Sequence, residues 1–130
     1  MAIVPLTGLA EVGRGPQVYS TAGDYNNILE RFFSHPNRSV SDWESSDAAL
    51  ERFQATVEQI LARHSGESIA LLSHGTILTL YTAMLDKVPP TLARWHQIDF
   101  SSVAAVDIET MQMVTTFITE PYDNLPVDTN

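Results

Sequence analysis

The run Ile69-Ala70-Leu71-Leu72 restricts the fold of this chain more than any other feature. It stands between Ser68 and Ser73 with no alternation of polar and apolar residues. An unbroken aliphatic run of this length reads as a strand covered on both faces. Ser73-His74-Gly75-Thr76 follows with no spacer, and Ile77, Leu78, Tyr81, Met84 and Leu85 then recur at helical period until Pro89-Pro90. Strand, immediate turn and helix make half of a βαβ unit, and such units build parallel sheets. The expected class is therefore α/β, with residues 69–73 inside the sheet.

The remaining elements follow from periodicity and punctuation. Ile3 to Thr7 is a short β-compatible run stopped by Gly8, and the stretch from Leu9 to Gly23, with Gly13, Gly15, Pro16 and Gly23, reads as a long loop. Long ordered loops tend to carry function. Thr21-x-x-Asp24 has capping-box spacing, and Tyr25, Ile28, Leu29, Phe32 and Phe33 then mark one face of a helix over 24–34. A second helix is expected over 45–64, with Leu50, Phe53, Val57, Ile60, Leu61 and His64 on one face. Ser41, Ser45 and Ser46 compete to cap it, and Gly66 follows as its stop. The third helix is expected over 76–86, and a short one around Thr91 to His96. Strands over 102–108 and 114–119, joined near Glu109-Thr110, must run antiparallel. Residues 1–119 read as one domain and 120–130 as a trailing tail.

Composition sets the outer limits. Apolar residues make up 44% and charged residues 18% of 130 positions, which is globular usage. Seven basic against sixteen acidic side chains leave a formal charge of -9, a field that repels nucleic acid and anionic membrane. Aromatic residues are not interleaved with a basic stripe, so a single-strand binding platform is not supported. No cysteine is present, which removes disulfides, a thiolate nucleophile and Cys-ligated metal together. With no signal-peptide pattern and no run long enough to span a bilayer, the expected location is cytoplasmic.

His74 is the leading candidate for chemistry. It stands where a strand ends and a helix begins, which is where ligands bind in open α/β sheets. The amides of Gly75, Thr76 and Ile77 would be free donors at the positive end of the helix, and Gly75 would let a ligand approach closely. A histidine there can donate to a phosphate oxygen; the alternative is a turn histidine that only begins a helix. Glu11, in the glycine-rich loop near Arg14, is either a general acid for a leaving alkoxide or an exposed glutamate loosely paired with Arg14. Glu44 either lies at a pocket or is the acidic residue favoured at a helix start. Arg52 is expected to pair with Asp47 or Glu51, His64 to be a partly buried helix-end residue, and His35 and His96 to have no chemistry. A serine hydrolase elbow fails, because Gly66-Glu67-Ser68-Ile69-Ala70 precedes its strand. His64 and His74 lack zinc-ligand spacing, and no Walker-type loop is present.

These motifs fall in a recognisable order. The run from Ile69 to Leu78, with Ser73-His74-Gly75-Thr76 at its centre, resembles the second-histidine motif of the histidine phosphatase superfamily, the phosphoglycerate mutase-like proteins. Leu9-x-Glu11-x-x-x-Gly15 resembles that family's L-x-E-x-x-x-G segment. Trp43-Glu44-Ser45, followed by Arg52, looks like its G-E-S segment, and Ser101-Ser102-Val103 with the strand pair is similar to its C-terminal part. The resemblance implies a three-layer α/β fold, a mostly parallel sheet with an antiparallel C-terminal strand, and phosphomonoester hydrolysis or phosphoryl transfer through a phosphohistidine. Glu11 would be the proton donor and His74 the second histidine, with Gly75, Thr76, Arg14 and Glu44 as candidate substrate-binding residues. No metal or organic cofactor is implied, and the ligand would be phosphate or a small phosphorylated metabolite.

The sequence also departs from that pattern. The family's nucleophile stands in an R-H-G motif, and none of His35, His64, His74 or His96 does. The family's phosphate-binding arginine after the first helix has no counterpart, and Pro16-Gln17-Val18-Tyr19 replaces the tryptophan and glycine that often follow L-x-E-x-x-x-G. Set against the family, the pattern reads as N-terminally truncated, and the chain as inactive or very weak; the alternative is a non-catalytic ligand-binding or assembly protein that keeps the fold. In the family the nucleophile's strand lies beside the one that here is Ile69 to Ser73. Its loss implies two open sheet edges and a homodimer that covers them. Within one chain, Ile3 to Thr7 could move into the vacancy instead.

Overall fold

The structure, a computed structural model, describes residues 3–14, 21–122 and 125. Gly15 of the L-x-E-x-x-x-G segment, the Pro16–Tyr19 replacement and most of the expected tail lie outside the described residues.

The helices form where periodicity places them. Helix α1 (Ala22–Ser34) starts at Thr21, whose hydroxyl accepts from the Asp24 N–H at 3.1 Å. It buries Ile28, Leu29, Phe32 and Phe33. Of the three competing serines, Ser45 caps α2 (Ser46–Arg63), accepting from the Ala48 N–H. Ser46 is buried instead and donates to the Phe32 carbonyl, tying α2 to α1. Helix α3 (Gly75–Asp86) is buried on nearly every side, from Thr76 and Ile77 through Tyr81 to Leu85. Two of its buried hydroxyls, on Thr79 and Thr82, donate back to the Gly75 and Leu78 carbonyls, which satisfies them inside the core. The short α4 (Leu92–Trp95) docks on α3 through Arg94, which donates to Thr82 Oγ1 and pairs with Asp86 at 2.6 Å. Trp43, Phe32, Phe53, Leu29 and Ile77 are the largest fully buried apolar side chains, and the Phe53 and Tyr81 rings meet at 4.9 Å across α2 and α3. His64 ends the apolar face of α2 but is exposed, paired with Glu67 at 3.0 Å, so the expected partial burial is corrected.

The sheet departs from expectation. Among the described residues the sheet is two-stranded and antiparallel, β1 (Val106–Asp107) against β2 (Gln112–Met113). A further bridge joins Val103 to Ile118. From Val106↔Met113 to Val103↔Ile118 one chain advances three residues and the other five, so the returning strand bulges; Val114 and Thr115 both donate to the Ala105 carbonyl there. The hairpin expected over 102–108 and 114–119 is thus present in shape, turning over residues 108–111. Among the described residues the expected mostly parallel sheet is not seen. Residues 68–73 belong to no helix or ladder among the described residues, and Leu71 and Leu72 are 38% and 80% exposed. Residues 3–6 are exposed and likewise in no ladder among the described residues, and Thr7–Leu9 is a 3-10 turn rather than the end of a strand. The physical reason is that an aliphatic run specifies an extended, coverable segment but not its neighbours, and a strand exists only with a partner.

The Thr7–Leu9 turn lies tightly against α2. A Cβ built at Gly8 would sit 1.7 Å from Thr56 Oγ1 and 2.8 Å from Thr56 Cβ, so no rotation of the threonine side chain clears it. At Gly13 the nearest atom would be 3.5 Å away, an ordinary contact. Gly8→Ala is therefore expected to cost about 1–3 kcal/mol through overpacking, and Gly13→Ala to stay within about 0.5 kcal/mol. Urea denaturation of both variants, followed by circular dichroism, checks the contrast. Equal stabilities would show that the turn does not pack as described.

Candidate functional site

The loop 8–14 is built onto the start of α2 by one arginine. Arg52 donates through Nη1 to the carbonyls of Gly8 (2.8 Å) and Ala10 (3.0 Å), and through Nη2 to the Glu11 carbonyl (3.3 Å). Its Nε and Nη2 also grip Glu44 at 3.1 and 2.9 Å in a two-point ion pair. Glu44 in turn accepts from the Gly13 N–H at 3.1 Å, while its own N–H donates to the Gly13 carbonyl at 2.7 Å. The hydrogen bonds from Arg52 hold the Glu44 carboxyl below its ordinary value. The Gly13 N–H adds to this, and partial burial opposes it. The planar fork of a guanidinium suits this set of converging oxygens, which an ammonium could not match. Among the described residues Arg52 thus pairs with Glu44 and not with Asp47 or Glu51, and Glu44 fastens the loop.

Fastened this way, the loop delivers Glu11 to the N-terminus of α3. Glu11 Oε2 accepts from the Thr76 N–H at 3.0 Å, and Oε1 from the Ile77 N–H at 2.8 Å and from its own neighbour Val12 at 2.9 Å. His74, the residue before the helix, makes no side-chain cap, so a carboxylate from far upstream caps α3 in its place. This corrects the expectation that the Thr76 and Ile77 amides are free. Glu11 is no merely exposed loop residue either, since those amides hold it; Arg14 Nη2 lies 3.9 Å from Oε2 and donates to Thr76 Oγ1 at 3.1 Å.

Aromatic rings complete the surroundings. The Arg14 guanidinium lies 4.8 Å from the Trp43 ring centre and 5.3 Å from that of Tyr25, and the Tyr25 ring sits 5.9 Å from Trp95. The Trp95 indole N–H donates to Thr76 Oγ1 at 3.2 Å. Thr76 is fully buried, and its hydroxyl accepts from both Arg14 and Trp95. Gly75 is half-buried, and a Cβ there would meet Trp95 Nε1 at an unstrained 3.6 Å, so close packing does not demand a glycine. His74 is exposed, and its ring is without a hydrogen-bond partner among the described residues. It opens onto a cavity of about 1240 Å³ lined at this end by Glu11, Arg14, Gly75 and Trp95.

The structure thus brings together Glu11, Arg14, His74, Gly75 and Thr76 and leaves Glu44 behind them as a fastener. Sequence reading missed Trp95 and the bracing role of Arg52. Trp95 carried no signal, and Arg52 had one only in its place after Trp43-Glu44-Ser45. Chemically the arrangement offers a fixed carboxylate, a guanidinium and an imidazole around one helix terminus. Among the described residues no group of three or more His, Asp or Glu side chains can hold a metal. No helix among them is long and apolar enough to cross a membrane.

Comparison with known proteins gives one family. The model described as Histidine phosphatase superfamily (branch 1) matches residues 3–120. Neither the curated proteins nor the solved structures contain a significant match to the chain.

The Arg52–Glu44 clamp predicts both a stability loss and a pH signature. Arg52→Ala should cost about 2–3 kcal/mol, and Arg52→Lys about half of that, because only the fork reaches every oxygen. The folded Glu44 carboxyl titrates below its unfolded value of 4.5, so its contribution is present above that value and is lost as pH falls through the lower, folded one. Urea midpoints measured from pH 7 downward should decline more steeply below about pH 4.5 in the wild type than in Glu44→Gln. Parallel curves would remove the clamp from the account.

Proposed function

The chain belongs to the histidine phosphatase superfamily, and on that premise we propose that it is a phosphate-recognising domain for small phosphorylated metabolites. The reading takes residues 1–119 as one phosphoglycerate mutase-like α/β unit in the cytoplasm. His74 contacts the phosphate, Arg14 offsets its charge, and Glu11 stands where a proton would pass to a leaving oxygen. The observation that supports it is convergence. Three motifs far apart in sequence, around Glu11, Glu44 and His74, meet at one helix terminus beside a cavity.

Turnover is a separate matter. Phosphoryl transfer depends on an in-line nucleophile held in position. No histidine in this sequence stands in an R-H-G motif, and in this reading His74 hydrogen-bonds the phosphate rather than attacking it. Glu11 also already occupies the Thr76 and Ile77 amides, the donors a phosphate would use. That occupancy favours the second reading, a non-catalytic ligand-binding or assembly protein, over an efficient phosphatase.

Phosphorus NMR and calorimetric titration with inorganic phosphate test the site. Binding is expected in the millimolar range, about -4 kcal/mol. His74→Ala and Arg14→Ala should each weaken it by about tenfold, the loss of one charge-assisted contact. Glu11→Gln should tighten it, by removing a like charge from the same amides. Affinity unchanged in His74→Ala would defeat the phosphate reading. Turnover of p-nitrophenyl phosphate is expected at background; turnover that vanishes in His74→Ala, with a phosphohistidine on His74, would reverse the claim of inactivity.

A further inference from the structure

The end of the cavity beside His74 is lined by Glu11, Arg14, Tyr25, Gly75, Thr76 and Trp95. Several of the polar side chains there are already engaged. Glu11 accepts from the Val12, Thr76 and Ile77 amides, and Thr76 Oγ1 accepts from Arg14 and from the Trp95 indole N–H. The hydroxyl of Ser73, the residue before His74, donates to the Leu9 carbonyl. A ligand rich in hydroxyls meets few partners at this end, and each polar group left without one carries a desolvation cost. Positive charge is equally scarce. Among the described residues that line the cavity, Arg14 is the one arginine and there is no lysine, while Glu11, Glu67 and Asp99 are acidic. With Arg14 on a phosphate, a second anionic group on the same ligand has no arginine or lysine to meet there.

What this end offers besides is aromatic surface. Trp95 and Tyr25 both line the cavity and are partly exposed, and their rings stand 5.9 Å apart at 47°. The indole is held by its N–H on Thr76 Oγ1, by the Tyr25 ring, and by the His96 ring edge-on at 5.0 Å. It also adjoins the residue after His74: a Cβ at Gly75 would lie 3.6 Å from Trp95 Nε1. A phosphate held by His74 and the Gly75 amide brings its ester group to the indole. Aromatic pairs gain more than the area they bury, which a saturated ring of the same size does not. Because the indole is already fixed, stacking on it orders little besides the ligand.

We propose that the ligand is a phosphomonoester of an uncharged aromatic alcohol whose ring stacks on Trp95. The inference rests on the reading of His74 and Arg14 as a phosphate site and adds the group on the far side of the ester oxygen. Trp95 is then the residue that sets specificity, with Tyr25 flanking it.

Calorimetric titration with five probes separates this inference from the phosphate reading: inorganic phosphate, glycerol 2-phosphate, cyclohexyl phosphate, phenyl phosphate and 4-carboxyphenyl phosphate. Phenyl phosphate should bind about three- to tenfold more tightly than cyclohexyl phosphate, which is close to it in size but has no π face. It should also bind more tightly than glycerol 2-phosphate and than 4-carboxyphenyl phosphate, whose second charge finds no partner. The ratio of phenyl to cyclohexyl affinity should fall to about one in Trp95→Leu and be largely kept in Trp95→Phe, which retains a ring without the N–H. Circular dichroism shows that each variant is folded. In the wild type, nuclear Overhauser contacts should join the phenyl protons to the assigned Trp95 indole, a readout that needs no variant. If inorganic phosphate binds and phenyl phosphate shows no preference over the cyclohexyl or glycerol ester, the inference falls and the phosphate reading stands. Equal binding of 4-carboxyphenyl phosphate would overturn the requirement for an uncharged alcohol. Inorganic phosphate that does not bind would remove the phosphate reading and the inference with it. A phenyl preference that survives Trp95→Leu, or Overhauser contacts to other rings alone, would place the aromatic group elsewhere and overturn it equally.

Discussion

The bond between the Glu11 carboxylate and the first amides of α3 is the contact on which the described site depends. A buried helix start leaves N–H groups that need acceptors, and the residue at that start, His74, supplies none from its side chain. Glu11 supplies two acceptor oxygens from the loop 8–14. This fixes the position of the loop, and with it Arg14, against the end of the 68–73 segment. The same contact determines where a ligand could sit. An anion approaching α3 meets a carboxylate already in place, so it must either displace Glu11 or bind beside it through His74, Arg14 and the Gly75 amide.

Such a carboxylate is useful only if its loop cannot drift, which explains the weight placed on Arg52. Its guanidinium spans three loop carbonyls and Glu44, while Ser73 Oγ donates to the Leu9 carbonyl from the other side. Loop backbone buried against a helix needs partners for its carbonyls, and here an arginine and a serine provide them where a strand ladder does not. The described part of the site is thus rigid on the α2 side and open on the side of 68–73.

Legibility in the sequence divided along the same line. Helices α1, α2 and α3 were readable because their signals are local: apolar residues at three- and four-residue spacing, with Thr21 and a serine at the starts. The meeting of Glu11 and His74 was readable only through the order of three motifs, since nothing local to Glu11 marks the Thr76 and Ile77 amides as its partners. The Arg52–Glu44 pair escaped because its eight-residue separation crosses the start of α2, where the i to i+4 rule does not apply. Residues 68–73 show the opposite case. Their aliphatic pattern reads as a strand, but the pairing that would make a strand of them is non-local and is written in no window of the sequence.

The open side bears directly on the site, because His74 is the residue that follows 68–73. Of the residues gathered there, Glu11 is held by amides, Arg14 by Thr76 and two aromatic rings, and Thr76 by Arg14 and Trp95. His74 alone among them is reached along a backbone that has no ladder. Fixing an extended residue costs about 1–2 kcal/mol of conformational entropy. A neighbour strand over 68–73 would meet that cost for the segment before any ligand arrives. A ligand held by His74 would conversely order the same segment and favour its pairing, by the reciprocity that links any two binding events. The helix-side contacts therefore set the geometry of the site, through amides, Thr76 and the aromatic rings rather than through a strand ladder.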